Sequence, residues 1–165
     1  MPDVHDRATR SRNMAAIRAT DTKPERVVRK LLHRQGFRYR IHRADLPGQP
    51  DIVIPKHRAV VFVHGCFFHA HECSRFRWPS SNAHWWKDKL QRNRDRDVDV
   101  LLRLKRLGWR TLVIWECALT GARHVPPAEL ASRCERWLRG ARASHSISER
   151  RAGPPRRNRS LNTGR

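Results

Sequence analysis

Cys66, His71 and Cys73 fall within eight residues, and Cys117 follows two positions after the apolar run that ends at Trp115. Thiolate sulfur and neutral imidazole nitrogen are the donors a structural zinc ion prefers, four in a tetrahedron. Three ligands from one loop and a fourth from a neighbouring strand end would close that shell. The same residues also fit buried, inert thiols beside an unrelated histidine. A disulfide fits less well, because the start MPDVHDRATR lacks the apolar core of an export signal and a reducing, cytoplasmic compartment is expected. Cys134, four residues before Leu138, reads as helix core. Asp51, His64 and His69 stand outside the zinc set. Asp51 opens the run Ile52-Val53-Ile54, and His64 closes the run Ala59 to Val63. If these are adjacent antiparallel strands, both side chains emerge at one end of a sheet. A carboxylate there can hold Mg²⁺, and a histidine can take a proton from water or give one to a leaving oxygen. A solvated Asp after Pro50 is an equally common turn residue. Phe67, Phe68, Trp85 and Trp86 crowd the same polar stretch. Aromatic wedges beside basic side chains suit insertion between base pairs, and a small core around the zinc is the alternative.

The elements that must position these residues are legible from periodicity. Thr22, Pro24 and Glu25 form a helix start in capping-box register, Val27, Val28, Leu31 and Leu32 share a face, and Gly36 ends the helix. Phe37, Tyr39 and Ile41 alternate with basic residues as in a half-buried strand. Ile52 to Ile54 is a short strand, and Ala59 to Val63, β-branched and aromatic, is a strand buried on both faces. After the His, Cys and aromatic-rich segment from His64 to Trp86, Leu90 to Leu107 fits a long amphipathic helix stopped by Gly108. Trp109 to Trp115 is another strand, and Pro127 to Leu138 another helix. The fold class is therefore α/β or mixed α+β, a central mixed sheet covered by helices. The expected organisation is an N-terminal arm over 1–20, a folded domain over 21–140, and a basic, disordered tail over 141–165.

Charge points to the partner. The 165 residues carry 36 Lys+Arg against 15 Asp+Glu, a formal net charge of +21, with a sequence pI near 11.6. From Arg139 onward eight basic residues face Glu149 alone, which leaves a net +14 on the rest of the chain, so the folded part carries a basic surface too. Such a balance calls for a polyanion, nucleic acid first, because each phosphate neutralised releases condensed counterions. No run approaches eighteen consecutive apolar residues, so no membrane span is expected. Six Trp and five Phe are too many for a wholly disordered chain.

The runs DVHDRATRSRNMAAIR, TKPE, LPGQPDIV, VVFVHGCFFHAHEC, WWKDKLQRNRDRD and GWRTLVIWEC together resemble the very-short-patch-repair (Vsr) DNA mismatch endonuclease family, over roughly residues 3 to 139. The resemblance implies a restriction-endonuclease-like fold with an inserted structural zinc site. It also implies a monomeric, Mg²⁺-dependent enzyme that nicks duplex DNA 5′ of the thymine in T:G mismatches left by deamination of 5-methylcytosine, with a mismatch-repair protein as a further partner. By the same resemblance Asp51 holds Mg²⁺ with the backbone carbonyl of Val63, His69 is the general base and His64 assists at the same phosphate. Glu25 is an acidic residue near the site, with helix capping an equal account. Cys66, His71, Cys73 and Cys117 match the zinc ligands, and Phe67, Phe68 and Trp86 the intercalating aromatics. Two positions depart from relatives: Val63 stands where Thr is frequent, and Phe68 where Trp is frequent. A zinc-stabilised protein that binds distorted duplex without cutting it, and a restriction-type nuclease of other specificity, remain competing readings.

Overall fold

The computed structural model describes residues 20–151, so the expected arm lies outside the described residues apart from Thr20, as does the tail beyond residue 151. Helix α1 spans Lys23–Arg34 and opens with the expected capping box. The Thr22 hydroxyl accepts from the Glu25 N–H at 3.4 Å and the Glu25 carboxylate accepts from the Thr22 N–H at 3.4 Å, an arrangement worth about 1 kcal/mol. Strand β1 is only Arg40–Ile41, shorter than the alternation of Phe37, Tyr39 and Ile41 suggested. Strand β2, Ile52–Ile54, and strand β3, Ala59–His64, form an antiparallel hairpin through a 3₁₀ turn at Pro55–His57. Helix α2, Ala83–Arg106, then crosses to strand β4, Arg110–Trp115, which lies parallel to β3 from Ala59↔Arg110 to His64↔Trp115. A single turn, α3 (Glu116–Leu119), precedes helix α4, Pro127–Arg139.

One expectation is corrected here. The chain beyond Gly140 was expected to be disordered, yet Ser144–Ile147 form strand β5, parallel to β4 at the edge of the sheet. Its sequence, Ser-His-Ser-Ile, has a single apolar residue, too little for a periodicity signal. That residue, Ile147, is fully buried. Its burial, the ladder to β4 and a hydrogen bond from Trp115 Nε1 to Ser146 Oγ (2.9 Å) hold the strand. Helix α2 also starts earlier than its leucines indicated, so Trp85 and Trp86 sit on its first turns and not in the loop.

The sheet order is β1-β2-β3-β4-β5. The period-two alternation of its strands divides the core in two. Ile52, Ile54, Ala59, Val61, Leu112, Ile114 and Ile147 face α1 and α4, meeting Val28, Leu32, Leu130, Trp137 and Leu138. Val53, Val60, Phe62 and Val113 face α2, meeting Leu104 with Val100 and Leu101 beside it. Each fully buried Leu or Ile contributes roughly 1.5–3 kcal/mol. The mixed α+β architecture, a central sheet flanked by helices, is as the sequence led us to expect. Its consequence for chemistry is directional. Strands β3 and β4 both end at one edge, and antiparallel β2 begins there, so Asp51, His64 and the start of the loop after each parallel strand converge on that edge.

Candidate active site and metal centre

Asp51 and His64 reach the same sheet end, as the antiparallel pairing of β2 and β3 requires. There they line a cleft of about 910 Å³ together with Glu25, His42, Val63, His69 and Asp97. Asp51 Oδ2 accepts the backbone N–H of Val63 at 2.7 Å. Burial, opposed by that hydrogen bond and reinforced by the charge of Glu25, pushes the Asp51 carboxyl up to about 6. A carboxylate so poorly solvated gains from a cation placed in the open cleft beside it.

The histidines form a stack. The rings of His64 and His69 lie 3.8 Å apart and nearly parallel, at 3°. His69 Nδ1 sits 2.5 Å from Asp97 Oδ2. A carboxylate only accepts, so Nδ1 carries the proton and the Nε2 lone pair is left to take another. Burial, and then the neighbouring His69, depress the pKa of His64 to about 3. Burial thus favours the neutral imidazole near neutral pH, able to donate one N–H but not to supply positive charge. Asp97 was missed by sequence reasoning. The signal was present in the spacing: Asn93, Asp97, Val100 and Leu101 share the inward side of α2, whereas Asp95 and Asp99 are exposed.

Glu25 is buried, and both of its oxygens are engaged. Oε1 accepts from the Thr22 hydroxyl at 2.9 Å, and Oε2 accepts from the Asp21 N–H at 3.0 Å and from Arg29 at 2.8 Å. These bonds make it a cap and an anchor of the cleft wall. Asp21, Glu25 and His42 bring their ligand atoms within 4.8 Å of one another, as do His64, His69 and Asp97. The first group already holds a cation, since Arg29 lies 2.5 Å from Asp21, 2.8 Å from Glu25 and 2.8 Å from His42 Nε2. In the second, Asp97 is already committed to His69.

At the adjoining strand end, Cys66, Cys73 and Cys117 bring their sulfurs within 4.8 Å of one another, a buried cluster consistent with a structural metal site. Burial pushes the Cys66 and Cys117 thiols up, which favours the neutral form unless a metal draws off their protons. The donor set also fits on a second ground. Cys66 Sγ accepts the Cys117 N–H and Cys117 Sγ accepts the Glu149 N–H, both at 3.3 Å, and backbone donors of this kind stabilise metal thiolates. His71, expected as the fourth ligand, is not in this group. Its ring lies flat on Trp115, 4.0 Å away at 7°, where a neutral imidazole gains stacking and burial.

Between Cys66 and Cys73 the loop presents its aromatic residues. Phe67 packs edge-on against Phe68 (5.3 Å) and Trp86 (4.9 Å), and all three are partly exposed. Helix α2 holds the loop by hydrogen bonds from Asn93 to the Phe68 carbonyl and from Arg94 to the Ala70 carbonyl, both at 2.8 Å. From the other side, the Glu149 carboxylate accepts the Ser74 N–H at 2.8 Å and the Ser74 hydroxyl.

Residues 2–75 match the sequence model of the DNA mismatch endonuclease Vsr family. The DNA mismatch endonuclease Vsr of Escherichia coli strain K12 is 45% identical over 147 residues, covering 89% of this chain and 94% of that protein. The chain belongs to the Vsr family. Two further relatives carry the name Type II nicking enzyme. V.XorIIP of Xanthomonas oryzae is 48% identical over 107 residues, 65% of this chain and 79% of that protein. V.NmeAIP of Neisseria meningitidis is 42% identical over 119, 72% and 85% respectively. Membership makes this a nuclease, a hydrolase of phosphodiester bonds acting on DNA, and accounts for its basic balance. No helix among the described residues is long and apolar enough to cross a membrane.

Proposed function

We propose that the protein nicks duplex DNA on the 5′ side of the thymine in T:G mismatches arising from 5-methylcytosine deamination, and so initiates very short patch repair. The observation that carries this reading is the meeting of Asp51, His64, His69 and Asp97 in one cleft at the foot of the aromatic loop. Asp51 and the carbonyl of Val63 would hold Mg²⁺, which supplies electrophilic activation of the scissile phosphate. Asp97 keeps the His69 proton on Nδ1, so that Nε2 takes the proton of the attacking water. His64, neutral and stacked on His69, orients that ring and donates an N–H toward the phosphate. Val63 replaces a frequent Thr without loss, since a backbone carbonyl is indifferent to the side chain.

Zinc would be structural, held by Cys66, Cys73 and Cys117, with His71 as the proposed fourth ligand. A closed shell leaves no position for a reacting water. Phe67, Phe68 and Trp86 would enter the base stack at the mismatch. A wobble pair is poorly stacked, and unstacking it costs less than unstacking C:G. Labelled duplexes carrying T:G, C:G or T:A at one site test the reading. With Mg²⁺, a single nick 5′ of the mismatched thymine is expected, lost in Asp51→Asn and slowed about 10²- to 10⁴-fold in His69→Ala. A nick in fully matched duplex at the same rate, or binding of T:G with no nick under any divalent metal, overturns it.

A further inference from the structure

Trp78 and Trp85 are the two aromatic side chains among the exposed large hydrophobic residues of the described chain, at 51% and 50% exposure. Trp85 belongs to the aromatic cluster through its edge contact with Trp86 at 4.9 Å. Trp78 is not part of the wedge and has no role in the reading above. It is nonetheless joined to it. Its ring meets Phe76 edge-on at 5.1 Å, and Phe76 lies 6.3 Å from Phe67. A row of rings thus leads from the wedge outward to an exposed indole.

We propose that Trp78, backed by Phe76, is a second duplex-contacting residue that grips DNA beside the mismatched step and adds affinity whether or not a mismatch is present. The inference rests on the reading of Phe67, Phe68 and Trp86 as the inserted wedge. Three observations carry it. The first is spacing: Trp78 stands from Phe67 by at most the sum of the two ring separations, about three rises of a nucleic-acid strand. With the wedge seated at the mismatch, the indole is therefore held within reach of the adjoining base pairs. The second is charge. From Ser74 to Leu90 the chain carries Arg75, Arg77, Lys87 and Lys89 against Asp88 alone, and all four cations flank the row of rings in sequence. Lys89 Nζ lies 5.0 Å from the centre of the Trp85 ring. An apolar ring set among cations suits a polyanion whose sugars and base edges offer apolar surface between phosphates, and suits an apolar protein partner poorly. The third is anchorage. The segment leaves the cysteine cluster at Cys73, and Arg77 NH1 is tied to the carbonyls of Ser74 (3.0 Å) and Phe76 (2.7 Å). The indole is therefore presented just beyond the Ser74–Arg75 turn, which a bond from the Phe76 N–H to the Cys73 carbonyl closes at 3.1 Å.

The experiment uses full-length, zinc-loaded protein and compares Trp78→Ala, Trp78→Phe and Trp86→Ala on a long T:G duplex and a long matched duplex. Trp78→Ala is expected to weaken binding to both long duplexes alike, by about five- to thirty-fold, while Trp78→Phe retains most of the affinity. Trp86→Ala, by contrast, should lose mismatch preference, and that arm alone tests the wedge. Unchanged affinity of Trp78→Ala for the long duplexes overturns the proposal, including in favour of a protein partner. So does a loss confined to T:G, which would make Trp78 part of the wedge. Zinc content and the far-ultraviolet spectrum of Trp78→Ala confirm that it is folded, as its exposure leads one to expect.

Discussion

The role proposed for Asp51 comes at a cost to the fold. An unfolded aspartate sheds its proton near 3.8 and the folded one near 6. The folded state thus holds the proton more tightly, so stability falls as pH rises from about 4 to about 6, and the penalty is complete above that. Asp51→Asn escapes it. The variant should be more stable than wild type by about 1 to 3 kcal/mol at pH 7.5 and no more stable at pH 4, as read by urea unfolding of zinc-loaded, Mg²⁺-free protein. Adding Mg²⁺ should raise the melting temperature of wild type and leave that of Asp51→Asn unmoved. Asp97→Asn makes a separate test. An amide in that place can donate to His69 Nδ1 and stabilise the wrong tautomer, so nicking should fall about 10²- to 10⁴-fold with mismatch binding intact. Near-normal turnover would assign the proton to another group. That Asp51 and His64 come to one sheet end beside His69 could be read from the sequence, because each sits at a strand end or in a motif. Asp97 was passed over because acidic and basic residues alternate from Arg94 to Asp97; it shares a helical face with Asn93, Val100 and Leu101, but its pairing with His69 is set by packing.

At the scale of elements, the loop that carries the wedge is held from two sides, by α2 through Asn93 and Arg94 and by the residues after β5 through Glu149. Glu149 holds Ser74 with its side chain while its backbone N–H serves Cys117, so β5 and the cysteine cluster stabilise each other. Glu149→Ala removes the acceptor for two donors. It should speed the loss of zinc to a chelator about 10- to 100-fold, while Glu135→Ala, a half-buried α4 residue that bonds Arg139 and Gln35 and not the cysteine loop, should leave that rate unchanged. Equal rates in both variants would show that Ser74 finds another partner. Helices α1, α2 and α4 and strands β2 to β4 were legible because each has enough apolar residues to show a period. Strand β5 was not, since its one buried side chain gives no period and its place is decided by β4 beside it. His71 was legible as a candidate ligand by residue type, whereas its stacking on Trp115 depends on a residue forty-four positions away.

For the whole molecule, the net charge of +21 sets the terms of binding. If six to ten phosphates are neutralised, affinity for any duplex should fall by about three to five decades between 50 and 200 mM salt. A shallow slope would mean that the aromatic contacts, and not the charge, dominate. The position of the cysteines has a consequence of another kind. Cys66 and Cys117 lie two residues beyond His64 and Trp115, which face each other across the parallel pair β3 and β4. A metal ion joining them closes a loop of 51 residues at the place where the sheet must pay its largest loop-closure entropy. Zinc held there would govern whether a newly made chain reaches its native state at all, and would play no part in what the native molecule does afterwards. In cells starved of zinc, the number of competent enzyme molecules should drop while the turnover of each stays the same. Counting active sites by single-turnover burst amplitude, beside the rate per site, separates the two: the amplitude should track bound zinc and the rate should not.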